Sequence, residues 1–401
     1  MMKNISAIVA FMVLFLPFGA HSAALDAGPW RFELKTANAV IPFVIEFKLV
    51  KGKYSGTLLN GKEKIKLSGI KIKDKNVSIP IQTYEVSLEM EQPKEGKMIG
   101  LLIRHNKNPK VETPVRAIFK ETERFPEEKS KPLIDLNGRW SVILTDEGDK
   151  KDTGVIVFEQ KGNYLSGSIL TPTGDYRYME GFVSGREFEA ASFDGVYNYL
   201  VKGNVDKDGN LEAKILSNSK TKIEGKKDPN ADLPDAYKHT QVESINFTFP
   251  DLTGKNVSLS DKKFKNTPVI IQFFGSWCPN CLDEMNYLIP WYKENKNRGI
   301  EIVALSFERG LEKAEAKKQL KKVQKKYKIP YTLLIAGYTS EDKPMDKIPG
   351  LKNFISFPTT VFLNKKHEVI KVHAGFTGPS TGEFYVKWKT EFNQTVNEIL
   401  K

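Results

Sequence analysis

The sequence predicts a multidomain α+β chain of 401 residues: two tandem all-β units, barrel-like or sandwich-like, followed by an α/β unit. Three observations predict it. Residues 25 to 227 hold no long helical period, only short apolar runs punctuated by Gly, Asn and Asp. The same stretch repeats itself, with Trp30 and Trp140, and Tyr54 and Tyr164, about 110 positions apart. Beyond residue 242, strand-like runs alternate with helical ones, which implies a sheet containing parallel strands joined by right-handed crossovers.

Residues 1–22 have the pattern of a secretory signal. Lys3 supplies the positive charge, Ile5 to Leu16 the apolar run, and Ala20-His21-Ser22 the small residues of a cleavage site, after a break at Pro17 and Gly19. The run is shorter than the ~20 residues of a membrane span. No cysteine lies near the cleavage site, so a lipoprotein anchor is excluded. The mature protein is therefore expected to be exported and soluble, periplasmic if the source has two membranes, with no transmembrane segment after cleavage.

The first β unit is expected at 25–120 and the second at 133–227. Gly28-Pro29-Trp30 recurs as Gly138-Arg139-Trp140, Gly52-Lys53-Tyr54-Ser55-Gly56 as Gly162-Asn163-Tyr164-Leu165-Ser166-Gly167, and Leu67-Ser68-Gly69-Ile70 as Met179-Glu180-Gly181-Phe182. So steady an offset marks a tandem duplication. Each unit has room for about eight short strands. Lys64 to Leu67 and Ile70 to Lys73 alternate apolar and charged, with a phase shift at Ser68-Gly69 that suggests a turn or bulge. The G-x-W opening followed by many strands resembles lipocalin-like barrels over a few residues per unit. Such barrels either hold an apolar ligand or are packed with their own side chains, and the packed interior is the expectation, with Trp30 and Trp140 in the cores. Lys120 to Pro132 and Lys226 to His239, charged and proline-bearing, are the expected linkers.

The α/β unit, 242–401, carries the chemistry. Its motif is Trp277-Cys278-Pro279-Asn280-Cys281, and these are the only 2 cysteines of the chain. The apolar run Pro268 to Phe274 precedes it and a helix from Leu282 to about Asn297 follows. Cys278 would be the helix N-cap with Pro279 at the first helical position. The free N–H groups there, and the helix dipole, favour a thiolate on Cys278. Cys281, one turn in, can close a disulfide after Cys278 has attacked. Cys278 is thus expected to be exposed and reactive, and Cys281 shielded. A zinc site needs about four ligands, and no second pair exists; haem attachment needs His after the second cysteine, where Leu282 stands. No metal and no cofactor beyond the Cys278–Cys281 disulfide is expected.

The remaining elements follow in order. Phe247-Thr248-Phe249-Pro250-Asp251-Leu252-Thr253-Gly254 with Val257-Ser258-Leu259 forms a leading hairpin, and Ile300 to Phe307 a buried parallel strand. Lys313 to Lys328 is a lysine-rich helix whose Ala316, Leu320, Val323 and Tyr327 face the sheet. It contributes much of the +12 net charge, and in an exported protein that charge does not point to nucleic acid. Strands at Tyr331 to Ala336, around Ser356-Phe357-Pro358-Thr359-Thr360, and at Lys371 to Phe376 precede a helix from Glu383 to Leu400.

The leading hairpin, the W-C-P-N-C motif, the F-P-T-T strand and the strand–helix segment between them make residues 242–401 resemble TlpA-like thioredoxin-fold thiol–disulfide oxidoreductases, which include the ResA-like proteins of cytochrome c maturation. The resemblance implies that Pro358 is cis and faces the motif, and that Phe357 offers its backbone to the substrate chain beside Trp277. It also implies that Glu284, three residues after Cys281, handles the proton. Gln272 stands where thioredoxin carries a buried Asp, Asn286 where a proline is common, and Phe357 where Thr or Val is frequent. Asp283 beside Glu284 is expected on the surface. The implied function is exchange of disulfides with protein clients, in the reducing direction, supplied by a membrane or soluble electron donor. Two other readings stay open: a peroxiredoxin-like peroxidase, although Gly275 cannot donate to a peroxide from a side chain, and a β protein binding an apolar ligand with an accessory redox domain.

Overall fold

The computed structural model describes residues 25–401 apart from 82–83, 106–109, 234–240, 243, 310–311 and 339–340. The expected export signal lies outside the described residues. Among the described residues no helix is long and apolar enough to cross a membrane.

The first unit is one antiparallel meander: β1 (Gly28–Lys35), β2 (Val40–Val50), β3 (Lys53–Asn60), β4 (Glu63–Leu67), β5 (Lys71–Lys73), β6 (Asn76–Ile81), β7 (Val86–Lys94), β8 (Lys97–Arg104) and β9 (Val111–Phe119). The second repeats it: β10 (Gly138–Thr145), β11 (Lys151–Lys161), β12 (Tyr164–Thr171), β13 (Gly174–Asp175), β14 (Met179–Ser184), β15 (Glu187–Phe193), β16 (Asn198–Val205), β17 (Asn210–Leu216) and β18 (Lys220–Lys227). The registers match strand for strand. Gly28 faces Phe47 and Trp30 faces Ile45, as Gly138 faces Phe158 and Trp140 faces Ile156. Phe47 then faces Gly56, as Phe158 faces Gly167. Both indoles donate to the carbonyl four residues back, Trp30 Nε1 to Asp26 O at 3.0 Å and Trp140 Nε1 to Leu136 O at 2.9 Å.

One difference separates the copies. In the second, β12 pairs with β11 on one side and β14 on the other, closing a barrel of 8 strands. Its interior is filled by Trp140, Phe158, Ile169, Phe188, Val201 and Ile223. In the first, β4 runs back along β3 from Gly56 to Asn60 and occupies the edge that β5 would need, so the sheet stays open between β4 and β5. Ser68-Gly69 is therefore neither a hairpin turn nor a bulge. It is the break in the sheet.

The open first unit is completed from outside. Its concave face carries Trp30, Phe32 and Phe43, all 0% exposed. Phe193, on the outer surface of the second barrel, stacks on Phe43 with ring centroids 3.8 Å apart. Its N–H donates to Asn60 Oδ1 at 3.1 Å. Arg124, in the inter-unit segment, donates to Leu59 O and Ala191 O, both at 2.7 Å, and so stitches the two units together. That segment is packed structure as well as a connection.

Three short strands follow, β19 (Gln241–Val242) and the hairpin of β20 (Thr248–Pro250) with β21 (Asn256–Ser258). The α/β sheet comprises β22 (Val269–Phe274), β23 (Glu301–Phe307), β24 (Thr332–Gly337), β26 (Thr359–Leu363) and β27 (Val369–Ala374), with β25 (Leu351–Lys352) paired to β19. Its order is β24-β23-β22-β26-β27; β22, β23 and β24 are parallel, while β26 and β27 join antiparallel. β22 is central, and every one of its residues is buried, which is why it has no alternation. The helices are α1 (Pro279–Asn295), α2 (Lys313–Tyr327), the short α3 (Pro344–Lys347) and α4 (Glu383–Ile399). Leu282, Met285 and Leu288 of α1, Leu320 and Val323 of α2, and Phe392 and Val396 of α4 cover one face. The β20–β21 hairpin, Phe264 and Ile348 cover the other. The lysine-rich α2 is not wholly solvated, since its Lys322 pairs with Glu85 of the first unit at 2.5 Å.

Candidate active site

The start of α1 sets the geometry. Cys278 is the N-cap with extended backbone, Pro279 takes the first helical position, and the Cys281 N–H donates to Cys278 Sγ at 3.2 Å. The two sulfurs are joined in a disulfide, with Cα atoms 5.3 Å apart. The loop between β22 and α1 is fixed from below by Glu308, which accepts from Ser276 N at 3.0 Å, Ser276 Oγ at 2.5 Å and Ser306 Oγ at 2.6 Å. Burial raises the Glu308 carboxyl above its ordinary range.

The Phe357–Pro358 peptide is cis, and the Phe357 carbonyl oxygen lies 3.6 Å from Cys278 Sγ. Phe357 meets Trp277 edge to face at 5.6 Å between centroids. The indole N–H of Trp277 donates to Phe307 O at 2.9 Å, and the Arg309 guanidinium sits 3.7 Å from its ring centroid. Trp277, Phe357 and Arg309 thus form one aromatic–cationic ledge beside the disulfide.

Glu284 is fully buried one turn below Cys281. Its carboxylate accepts from Gln272 Nε2 and Thr360 Oγ1, both at 2.7 Å. Gln272 Nε2 also lies 3.4 Å from Cys281 O, so it bridges the carboxylate and the cysteine's turn. Burial pushes the Glu284 carboxyl up to about 7 against the pull of these two donors. Such a group can hold a proton on the acid side of neutrality and take one on the alkaline side.

Two expectations are corrected here. Cys278, expected in solvent, is only 5% exposed. Phe357 O lies 3.6 Å from its sulfur, and the second barrel packs beside the site at β13: Asn280 Nδ2 donates to Asp175 O at 2.9 Å, and Gly378 N donates to Asp175 Oδ2 at 2.6 Å. Asp283, expected on the surface, is bound by Arg177 of that barrel, with Nε to Oδ2 at 2.8 Å. Arg177 also pairs with Asp194 and with Glu63 of the first unit, each at 2.5 Å. Sequence reasoning missed Asp175, Arg177, Glu308 and Arg309. A carboxylate at the C-terminal end of a buried strand was a visible signal for Glu308. Nothing local marks the barrel residues, whose partners in the redox domain are more than a hundred positions away.

A sheet of this order with a disulfide at a helix N-terminus opposite a cis-proline defines a thioredoxin-like thiol–disulfide oxidoreductase. Comparison with known proteins agrees. Residues 241–372 match the model of the AhpC/TSA family. Thiol-disulfide oxidoreductase ResA of Bacillus subtilis is 31% identical over 133 residues, 33% of this chain and 66% of that protein. ResA of Bacillus thuringiensis subsp. konkukian is 30% identical over 145 residues, 36% of this chain and 75% of that one. A solved thiol:disulfide interchange protein of the thioredoxin family from Chlorobium tepidum is 20% identical, with a TM-score of 0.30, covering 40% of this chain and 97% of that chain. Through its C-terminal part the chain belongs to the ResA-related thiol-disulfide oxidoreductases.

Proposed function

We propose that the protein is an exported reductase of disulfides in polypeptide clients, among them the cysteine pairs of cytochrome c precursors that the family resemblance implies. The observation that carries this is the Cys278–Cys281 disulfide facing cis-Pro358, with a proton-holding carboxyl beneath it. In the reduced enzyme the Cys278 thiolate attacks one client sulfur. The other client sulfur leaves as a thiolate and takes a proton. Glu284 then accepts the Cys281 proton as Cys281 attacks Cys278 Sγ; the Cys278–client S–S bond breaks, the second client sulfur leaves as a thiolate that takes a proton from solvent, and the enzyme is left oxidised. Two electrons and two protons pass to the client, and a membrane-bound or soluble dithiol donor restores the enzyme. Trp277, Phe357 and Pro358 line the path of the client chain.

The test is single-turnover reduction of a peptide disulfide by the fully reduced, full-length protein. Cys281→Ser should accumulate a mixed disulfide on Cys278, identified by mass spectrometry. Absence of reduction by wild type, or capture of the peptide on Cys281 in the Cys278→Ser variant instead, would overturn the reading.

A further inference from the structure

The second barrel does more than pack beside the disulfide. Where its open end meets the redox domain, a cavity of about 420 Å³ remains. Asn280 and Phe357 line it from the redox side, and Tyr176 and Tyr197 with Asp146 and Asp152 from the barrel side. Phe357 is the residue whose carbonyl touches Cys278 Sγ, so the cavity adjoins the reacting sulfur. A volume in this range suits a short polypeptide segment or a small molecule.

The chemistry of the walls is one-sided. Asn280 is 4% exposed, and its Oδ1 is buried with no hydrogen-bond partner among the described residues, while its Nδ2 is already committed to Asp175. An unpaired buried acceptor costs free energy until something donates to it. Asp146 and Asp152 stand exposed at the rim, and Lys150 is the one cation among the residues lining the cavity. Lys150 is loosely held to Asp152 at 3.5 Å in an exposed pair. Tyr176 and Tyr197 are half-buried, and aromatic rings attract cations. In a chain of net charge +12, an acceptor-rich, acidic cleft beside the redox site is the opposite of the general surface.

We infer that the mouth of the second barrel is one wall of the client site, and that it selects cysteine-bearing polypeptide segments flanked by lysine or arginine. A client chain entering along Phe357 places its backbone or side-chain donors on Asn280 Oδ1. The cationic flank reaches Asp146, Asp152 and the tyrosine rings. The inference rests on the polypeptide-client reading above and adds the client's charge. Asp146, Asp152 and Tyr197 are specificity residues and touch none of the reacting atoms.

The experiment uses the reduced full-length protein and two peptide disulfides of equal length, one with cysteines flanked by lysine and arginine, one with cysteines flanked by glutamate. The cationic peptide is expected to be reduced with at least about tenfold higher kcat/KM at low salt, chiefly through KM. The preference should fall toward parity at about 1 M salt, where screening shrinks to ~3 Å. The D146N/D152K variant should lose or reverse the preference. As a second measurement, hydrogen exchange on the mixed disulfide of Cys281→Ser with the cationic peptide should show protection at residues 146–152 and 171–176. Reduction of both peptides at equal kcat/KM overturns this inference and leaves the polypeptide-reductase reading standing. Reduction of neither peptide overturns both. Protection confined to the Trp277–Phe357 ledge, with the barrel mouth unchanged, also overturns it.

Discussion

At the scale of single residues, Glu284 is the group whose titration should be visible in the reaction. Burial holds its carboxyl near 7, so above that pH it is ionised and can accept the Cys281 proton. Resolution of the mixed disulfide should therefore accelerate through about pH 7. Glu284→Gln keeps both hydrogen-bond partners within reach but cannot take a proton. Stopped-flow tryptophan fluorescence should show resolution slowed by ~10²-fold or more at pH 8, with the inflection near 7 gone. A Gln variant with the wild-type profile would reassign proton transfer to solvent. Glu284 is legible in the sequence through the family resemblance, and its three-residue spacing from Cys281 adds a local reason for its place beneath the disulfide. The partner of Asp283 is not, because Arg177 approaches from another unit.

At the scale of elements, the turn between β12 and β13 governs access to the disulfide. Gly174 has φ +137, and a Cβ there would lie 2.5 Å from Asn280 Nδ2. Both facts exclude larger residues, so Gly174→Val should push the turn off α1. Alkylation of the reduced protein followed by mass spectrometry should then label Cys278 faster than in wild type. An unchanged rate would show that Phe357, not the barrel, shields the sulfur. The motif strand, α1 and the repeat of G-x-W and G-x-Y openings were all legible, since each depends on contacts within an element or between neighbours, whereas the cis peptide at Pro358 was legible through the family resemblance. The opening of the first sheet was not. It follows from β4 being five residues long where β13 has two, and nothing in the sequence of either short stretch announces that difference in length.

At the scale of the molecule, Arg177 is the hub of three units. Its single guanidinium meets Asp283 on α1, Asp194 in the second barrel and Glu63 in the first, with its side chain 3% exposed. Removing one partner of a buried ion network leaves charges uncompensated and typically costs ~3–5 kcal/mol. Arg177→Met should lower denaturant stability by about that much and raise Cys278 alkylation as the barrel loosens. Burial raises Glu63 to about 7 in spite of Arg177, and raises Asp175 to about 6. The sign follows: the assembled state binds these protons more tightly than the separated one. Its advantage is complete below the ordinary carboxylate range near ~4 and is lost as pH climbs through about 6 to 7. Thermal stability should accordingly decline between pH 5 and pH 8, and Glu63→Gln should flatten that decline. A wild-type midpoint that rises over this interval would contradict it.

The gap between β4 and β5 has a consequence for the order in which the chain acquires its shape. The copy nearer the N-terminus leaves the ribosome first, yet its concave aromatic face is finished only by Phe193, which is made some 150 residues later. The later copy needs no such help, because β12 and β14 complete it. Maturation should thus run against the direction of synthesis, with the closed barrel forming independently and then serving as the template on which its older twin settles. Separate expression would expose this asymmetry. Residues 133–227 alone should melt cooperatively, while residues 25–120 alone should bind hydrophobic dyes and gain a sharp transition only when the other fragment is added.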